Sequence, residues 1–390
     1  MHKVKRKFRF YPTPAQKTAL AQVFGCTRFV YNAALDWRKA QFDAGNKPSF
    51  VKSSAWLTLF KKEKEFLNDV SCVPLQQSLR HLDSAYSRFF KKQAKFPSFK
   101  SRGNRQSCEF TQRAFSFKNG ELSLAKIGRL NVVWTLPLEA LPTTVTIIKE
   151  ASGEYYASLT VLESDKTLPA LTTSVGIDLG IETFATLSDG RKFKQPSEIR
   201  KLRKKLARLQ RQHSRKQKDS KRREKARIRV AKTHQHIANI RTDFLQKLST
   251  QLVRENQTIS VEDLHTKGMM KNRKLARAIG EQGWRQFRDM LSYKCEWYGR
   301  ELEIVSRWLP SSKTCSSCGE KTTLTLKQRS WTCACGATHD RDVNAAKNIL
   351  AAGQAASARG GAVRPERTYV LKARPLKRET PSLAGRIPVL

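Results

Sequence analysis

Three short segments set a carboxylate at the edge of an apolar run: Val175-Gly176-Ile177-Asp178-Leu179-Gly180, Ile259-Ser260-Val261-Glu262-Asp263-Leu264 and Asp340-Arg341-Asp342-Val343-Asn344-Ala345-Ala346. The first two read as buried strands that end on acid, and the third as the head of a helix. From Ser174 onward the pattern gives strand, hairpin, basic helices, strand, amphipathic helix (Trp284 to Tyr298), strand (Leu302 to Trp308) and a final helix. Carboxylates this far apart in sequence meet only through tertiary folding, and carboxylates that meet away from water require a cation. Asp178, Glu262 and Asp342 are therefore candidate ligands of a two-metal site. In such a site two divalent ions roughly 4 Å apart activate water and stabilise the leaving oxygen of a phosphodiester. Mg²⁺ suits such a donor set, since it takes a few carboxylates and keeps its remaining positions for water and phosphate oxygen.

Each acid alone has a plainer reading. An Asp after an apolar run is a common turn former, and Asp340 or Asp342 has the position of a cap for the helix containing Ala345, Ala346 and Ile349. Their joint order is what carries the argument. Glu262 is preferred to Asp263 because it ends the strand, and alternation sends neighbours to opposite faces. Asp342 is preferred to Asp340 because it leads directly into Asn344-Ala345-Ala346, which leaves Asp340 a structural or supporting acid.

The rest of the chain is strongly basic: 75 Lys and Arg against 33 Asp and Glu give a net charge of +42. That field attracts phosphate backbones, so nucleic acid is the leading partner class, ahead of a ribosomal-type structural role or a membrane surface. The excess is greatest from Arg200 to Lys232, where 17 of 33 residues are basic and only Asp219 and Glu224 oppose them. Leu202, Leu206 and Leu209 still mark one apolar face, which predicts a long basic helix or helical hairpin against nucleic acid. No long uncharged apolar run offers a membrane span, and Met1-His2-Lys3-Val4-Lys5-Arg6 does not lead into a secretory leader. The expected location is the bacterial cytoplasm, with the nucleoid.

Four of the eight cysteines are clustered. Cys315-Ser-Ser-Cys318 and Cys333-Ala-Cys335 resemble a zinc ribbon, in which two thiolate pairs close around one tetrahedral structural Zn²⁺. The second pair has a one-residue gap, a tighter knuckle, and His339 is an alternative ligand. Four protein ligands leave no open position for catalysis. Cys26, Cys72, Cys108 and Cys295 are dispersed and read as ordinary small apolar positions.

In the N-terminal half, residues 1–10 alternate basic and apolar side chains as a strand does, and Tyr11-Pro12-Thr13-Pro14 breaks it. Helical spacing runs from Ala15 to about Phe90, followed by short alternating segments from Phe96 to Glu163 with turn signals such as Asn119-Gly120. A small β-barrel completed by the N-terminal strand is the expected outcome, with 165–173 as a linker. Beyond Ile349 the composition turns to Ala, Gly, Arg and Pro, and 356–390 is expected to be a disordered tail.

Tyr11-Pro12-Thr13-Pro14-Ala15-Gln16, Arg28-Phe29-Val30-Tyr31-Asn32, Leu75-Gln76-Gln77-Ser78-Leu79, the three acidic segments and the cysteine cluster together resemble TnpB. This is the insertion-sequence family of RNA-guided DNA endonucleases related to type V CRISPR effectors. The resemblance covers residues 1 to about 352. It implies a multidomain α/β plus β-barrel fold with a wedge β-barrel domain (1–10 and 94–172) and a helical recognition domain (11–93). It further implies an RNase-H-like RuvC nuclease domain (173–309 and 338–355) with a zinc-ribbon insertion (310–337) that binds target nucleic acid. Asp178, Glu262 and Asp342 match the family's catalytic triad. Implied partners are a guide RNA from the transposon end and double-stranded target DNA, with the protein a monomer in its RNA complex. Phe50, Ser54 and Gln76 fall where relatives read the target-adjacent motif, with Phe50 in place of a Tyr; for Gln76 a plain surface role stands beside base reading.

Two other functions compete with guided cleavage. An RNase-H-like carboxylate site also suits a strand-joining transposase, and a non-catalytic nucleic-acid-binding regulator would need the acids to be dispensable. All three acids are present.

Overall fold

A computed structural model describes residues 1–358 except 104, 139, 326 and 327. The chain opens with β1 (His2–Phe10), whose Val4, Phe8 and Phe10 are buried while Lys3, Lys5 and Lys7 are exposed. Thr13 and Gln16 form a reciprocal capping box and Pro14 occupies the first turn, so α1 (Pro14–Asp43) starts where the Pro-Thr-Pro break predicts. Helices α2 (Phe50–Glu63) and α3 (Cys72–Phe90) complete the helical layer.

The β unit follows: β2 (Gln106–Thr111), β3 (Phe115–Lys118), β4 (Glu121–Leu124), β5 (Gly128–Leu130), β6 (Val132–Val133), β7 (Thr144–Lys149) and β8 (Tyr155–Glu163). Asn119 and Gly120 both adopt positive φ, 51° and 75°, which is the hairpin turn their sequence calls for. The N-terminal strand does join this unit, pairing along its length with β8. Among the described residues the expected closed barrel is not seen. One sheet has the order β2-β7-β8-β1-β6, with β2 and β6 as its edges, and β3, β4 and β5 form a separate three-stranded sheet. Two local causes are visible. The chain between β2 and β7 is diverted into the smaller sheet, and β6 meets β1 only at Arg9 and Phe10. The open sheet buries its apolar face against helices instead. Phe8, Phe10, Phe110, Ile147 and Leu159 share one core with Leu20, Phe24, Leu79 and Leu82.

The C-terminal half is built on a second sheet, from β9 (Ser174–Asp178), β10 (Ala185–Leu187), β11 (Lys192–Phe193), β12 (Thr258–Glu262) and β13 (Glu301–Val305). Its order is β11-β10-β9-β12-β13; β10 and β11 run antiparallel, whereas β9, β12 and β13 are parallel. Parallel neighbours need long crossovers. The first contains the basic helices α4 (Ser197–Ser214) and α5 (Lys221–Glu255), which pack together as a hairpin. The second contains α6 (Thr266–Met269), α7 (Ala276–Gln282) and α8 (Trp284–Tyr298). Val175, Ile177, Ile259 and Val261 face Leu245, Leu248, Leu252, Phe287 and Leu291 of α5 and α8. The other face is covered by α9 (Arg341–Ala358), which packs across β9, β12 and β13. The helix includes 356–358; the remainder of the expected tail, 359–390, lies outside the described residues. A small hairpin, β14 (Ser330–Thr332) with β15 (Thr338–Asp340), precedes α9. Among the described residues no helix is long and apolar enough to cross a membrane.

Candidate active site and metal centres

Asp178 and Glu262 end adjacent parallel strands. The pairing Val261 with Ile177, continued by one residue, sets Glu262 beside Asp178 on the same face of the sheet. That face also carries Gly176 and Ser260, and it is the face that α9 covers. A Cβ at Gly176 would lie 2.1 Å from the Ala346 carbonyl oxygen, and one at Gly353 would lie 2.0 Å from Ser260 Oγ. The two glycines thus let the helix lie directly on the strands, which brings its first turn, with Asp342, toward the strand ends. The chain turns one way from β9 into β10 and the other way from β12 into β13, and crevices at such a switch point are the usual ligand sites of open α/β sheets.

The electrostatics record the convergence. Burial, then the charges of Asp342 and Glu262, push the Asp178 carboxyl up from 3.8 to about 7, against a small opposing effect from Arg341. Burial, then Asp263, raises Glu262. The neighbouring acids are satisfied in other ways. Asp263 is held between Arg288 and Arg307, which together lower its pKa against the cost of burial. Asp340 accepts from the backbone N–H groups of Asp342 and Val343, both at 3.1 Å, and pairs with Lys192 at 2.6 Å. It is the cap of α9, so Asp342 is left free to face the strand ends. The guanidinium of Arg329 stands 3.8 Å from Asp342 Oδ1 and is also engaged by Glu182 at 2.9 Å. A buried carboxylate that feels the charges of two further acids suits a hard divalent cation.

The four cysteines form the second centre. Their sulfur atoms all lie within 4.8 Å of one another; Cys315 and Cys335 are 3.8 Å apart, and Cys318 and Cys333 are 3.6 Å apart. Four thiolates at the usual Zn–S distance stand about 3.8 Å apart along the edges of a tetrahedron, so the set fits zinc. The short Cys-x-Cys gap is absorbed by its turn. The Gly319 N–H returns to the Cys315 carbonyl in the first knuckle, whereas the Gly336 N–H returns to Cys333, one residue sooner, in the second. Both glycines take positive φ, 80° and 87°. His339 is not needed as a ligand: its Nε2 lies 3.1 Å from Cys315 Sγ and its ring packs on Trp331.

The ribbon is tied to α9. Asn344 and Asn348, one turn apart, both donate to the carbonyls of Ser311 and Thr314, and the Ser316 N–H donates to Asn344 Oδ1 at 2.9 Å. These two asparagines, with Arg288, Arg307, Arg329 and Lys192, are the site residues that sequence reasoning missed. The asparagines carry a readable i, i+4 spacing. The basic residues carry no signal in so basic a chain.

Phe50 and Ser54 lie one turn apart on α2, and Gln76 is exposed on α3. Arg80, one turn after Gln76, stacks over the Phe50 ring at 4.5 Å, so the structure puts these residues on one α2–α3 junction remote in sequence from the acids.

Comparison with known proteins fits this geometry. A chain from Streptomyces pristinaespiralis, named "Putative RNA-guided DNA endonuclease", is 50% identical over 377 residues, covering 94% of each chain. The Escherichia coli K12 protein "Putative RNA-guided DNA endonuclease InsQ" is 35% identical over 396 residues, covering 96% of each. The chain belongs to the TnpB family. The family model described as "Probable transposase" matches residues 158–273, and one described as "Cas12f1-like, TNB domain" matches 284–349. A third, "Helix-turn-helix domain", matches 1–47, where the structure has one strand and one 30-residue helix. A solved Cas12f1–sgRNA–target DNA complex superimposes with a TM-score of 0.54 over 90% of this chain and 98% of that one, at 11% identity. The multidomain α/β, RuvC-type effector fold expected of the family is therefore present.

Proposed function

We propose that this chain is an RNA-guided DNA endonuclease of a transposable element that cuts target DNA by two-metal hydrolysis at Asp178, Glu262 and Asp342. The observation that carries the reading is the Asp178 carboxyl, pushed to about 7 by burial and then by the charges of Asp342, at the head of α9, and Glu262, at the end of β12. Two Mg²⁺ ions, held by these three side chains, would supply Lewis-acid stabilisation of the phosphodiester and a nucleophilic water at neutral pH. The residues around them keep that donor set in place. Gly176 admits α9, Asp340 caps it, and Arg288 with Arg307 draws Asp263 away so that Glu262 is the acid presented to the metals. Cys315, Cys318, Cys333 and Cys335 hold one structural Zn²⁺ that fixes the segment leading into Asp342.

The partners follow from the relatives' names and from charge. The α4–α5 hairpin offers a basic surface suited to an RNA or DNA backbone, while base pairing with a guide reads the sequence. Phe50, Ser54 and Gln76 at the α2–α3 junction are proposed to read the target-adjacent motif, with the complex acting as a monomer in the bacterial cytoplasm. Purifying the protein with its RNA and supplying Mg²⁺ and DNA with or without a match to that RNA tests the proposal. Cleavage confined to matched DNA, leaving 5′-phosphate ends, is expected. Joined strands would support the transposase reading, and binding without cleavage the regulator.

A further inference from the structure

Trp308 is 85% exposed, the most exposed large aromatic side chain among the described residues. An indole exposed to this degree has its ring open to a stacking partner. The segment that carries it is well anchored. It leaves β13 at Val305, which pairs with Glu262 across the parallel ladder, and the Asp263 N–H donates to the Val305 carbonyl. Arg307, immediately before the Trp, pairs with Asp263. Beyond it, Ser311 and Thr314 are held by Asn344 and Asn348, which follow Asp342 within two turns of α9. A turn from the Leu309 N–H to the Ser306 carbonyl, and the Trp308 N–H to Ser306 Oγ at 3.4 Å, hold the backbone between these anchors. The loop thus runs from beside one proposed metal-ligand carboxylate to beside another with its indole free, and Lys313 is exposed farther along it.

We infer that Trp308 forms a nucleobase-stacking subsite for the DNA strand held at the carboxylates. The inference rests on the nuclease reading and adds a positioning residue to it. Phosphates attract to the cationic side chains, but every phosphate in a strand looks alike; a base seated on a fixed ring sets which phosphate reaches the metals. Stacking of this kind is sequence-tolerant because every base has a π face, which suits an enzyme whose sequence choice is made elsewhere.

The test uses the full-length protein with its RNA, made inactive by Asp178→Asn, and a 12-nucleotide oligodeoxythymidylate beside an abasic strand of the same length. Tryptophan fluorescence should be quenched by the oligodeoxythymidylate, less by the abasic strand, and Trp308→Phe should remove the difference. In the active protein, Trp308→Ala should raise the DNA concentration for half-maximal cleavage, or lower the single-turnover rate, by about tenfold, with Trp308→Phe restoring most of it. Equal quenching by both strands, or Trp308→Ala cleaving like the parent, overturns the inference. So does a loss of self-association in Trp308→Ala with the base-dependent quench intact, which would make the ring a protein contact. A base-dependent quench in a parent that cuts no DNA would leave the subsite standing and remove the nuclease reading.

Discussion

Asp178→Asn should stabilise the metal-free protein while abolishing its activity. In the fold this carboxyl titrates at about 7 instead of 3.8, so the neutral acid is the favoured form. For an acid with a raised pKa the penalty is absent below the unfolded value, grows as pH rises from about 4 to about 7, and is constant above that. The interval corresponds to about 4 kcal/mol at roughly 1.4 kcal/mol per pH unit. At pH 5 the same linkage leaves about 2 kcal/mol. Asn keeps the shape and removes the charge, so in EDTA at pH 8 its melting temperature should exceed the parent's by roughly 5–10 °C, and by less at pH 5. Mg²⁺ should then stabilise the parent strongly and the variant little, because ligand binding to the native state raises stability with the logarithm of its affinity. Thermal melting of both proteins at pH 5 and 8, with EDTA and with Mg²⁺, is the assay. A variant less stable than the parent in EDTA at pH 8 would refute the claim that burial and the neighbouring acids disfavour the ionised Asp178 there.

Gly176→Ala should lose several kcal/mol and most activity, since its methyl group would meet the Ala346 carbonyl at 2.1 Å and lift α9 from the sheet; melting temperature and cleavage should fall together. Asp342→Asn should abolish cleavage with little loss of stability. Asp340→Ala should keep measurable cleavage and lose about 1 kcal/mol of helix capping, checked by denaturant unfolding. Cys318→Ser should release Zn²⁺, detectable by metal analysis, and lower cleavage as well, because the ribbon is bonded to Asn344 two residues from Asp342. Replacing Arg200, Lys201, Lys204 and Lys205 by Gln should weaken RNA binding and flatten its dependence on salt by up to about four counterions.

What the sequence revealed and what it hid divide along physical lines. The sheet around Asp178 was readable because its strands are continuous apolar runs, and the α4–α5 hairpin because leucines keep a helical period amid the basic residues. The preference for Glu262 over Asp263 came from strand alternation, and the structure shows where Asp263 goes: to Arg288 and Arg307. Those partners were hidden because an ion pair between distant residues leaves no periodic trace. The alternating N-terminal strands suggest a barrel, and the described residues form an open sheet, because alternation reports which face of a strand is apolar, not what covers it. Here Phe8 and Phe110 share one core with Leu20 and Leu79 of the helices. Nothing in the strand pattern distinguishes Gly176, and the approach of α9 explains why that position lacks a side chain.

Anomalous diffraction from crystals of the RNA complex soaked in Mn²⁺ tests the central claim most directly. Two manganese peaks about 4 Å apart, ligated by Asp178, Glu262 and Asp342, are expected. Peaks at Asp263 or Asp340 instead, or no manganese among these three carboxylates in an actively cleaving complex, would contradict it.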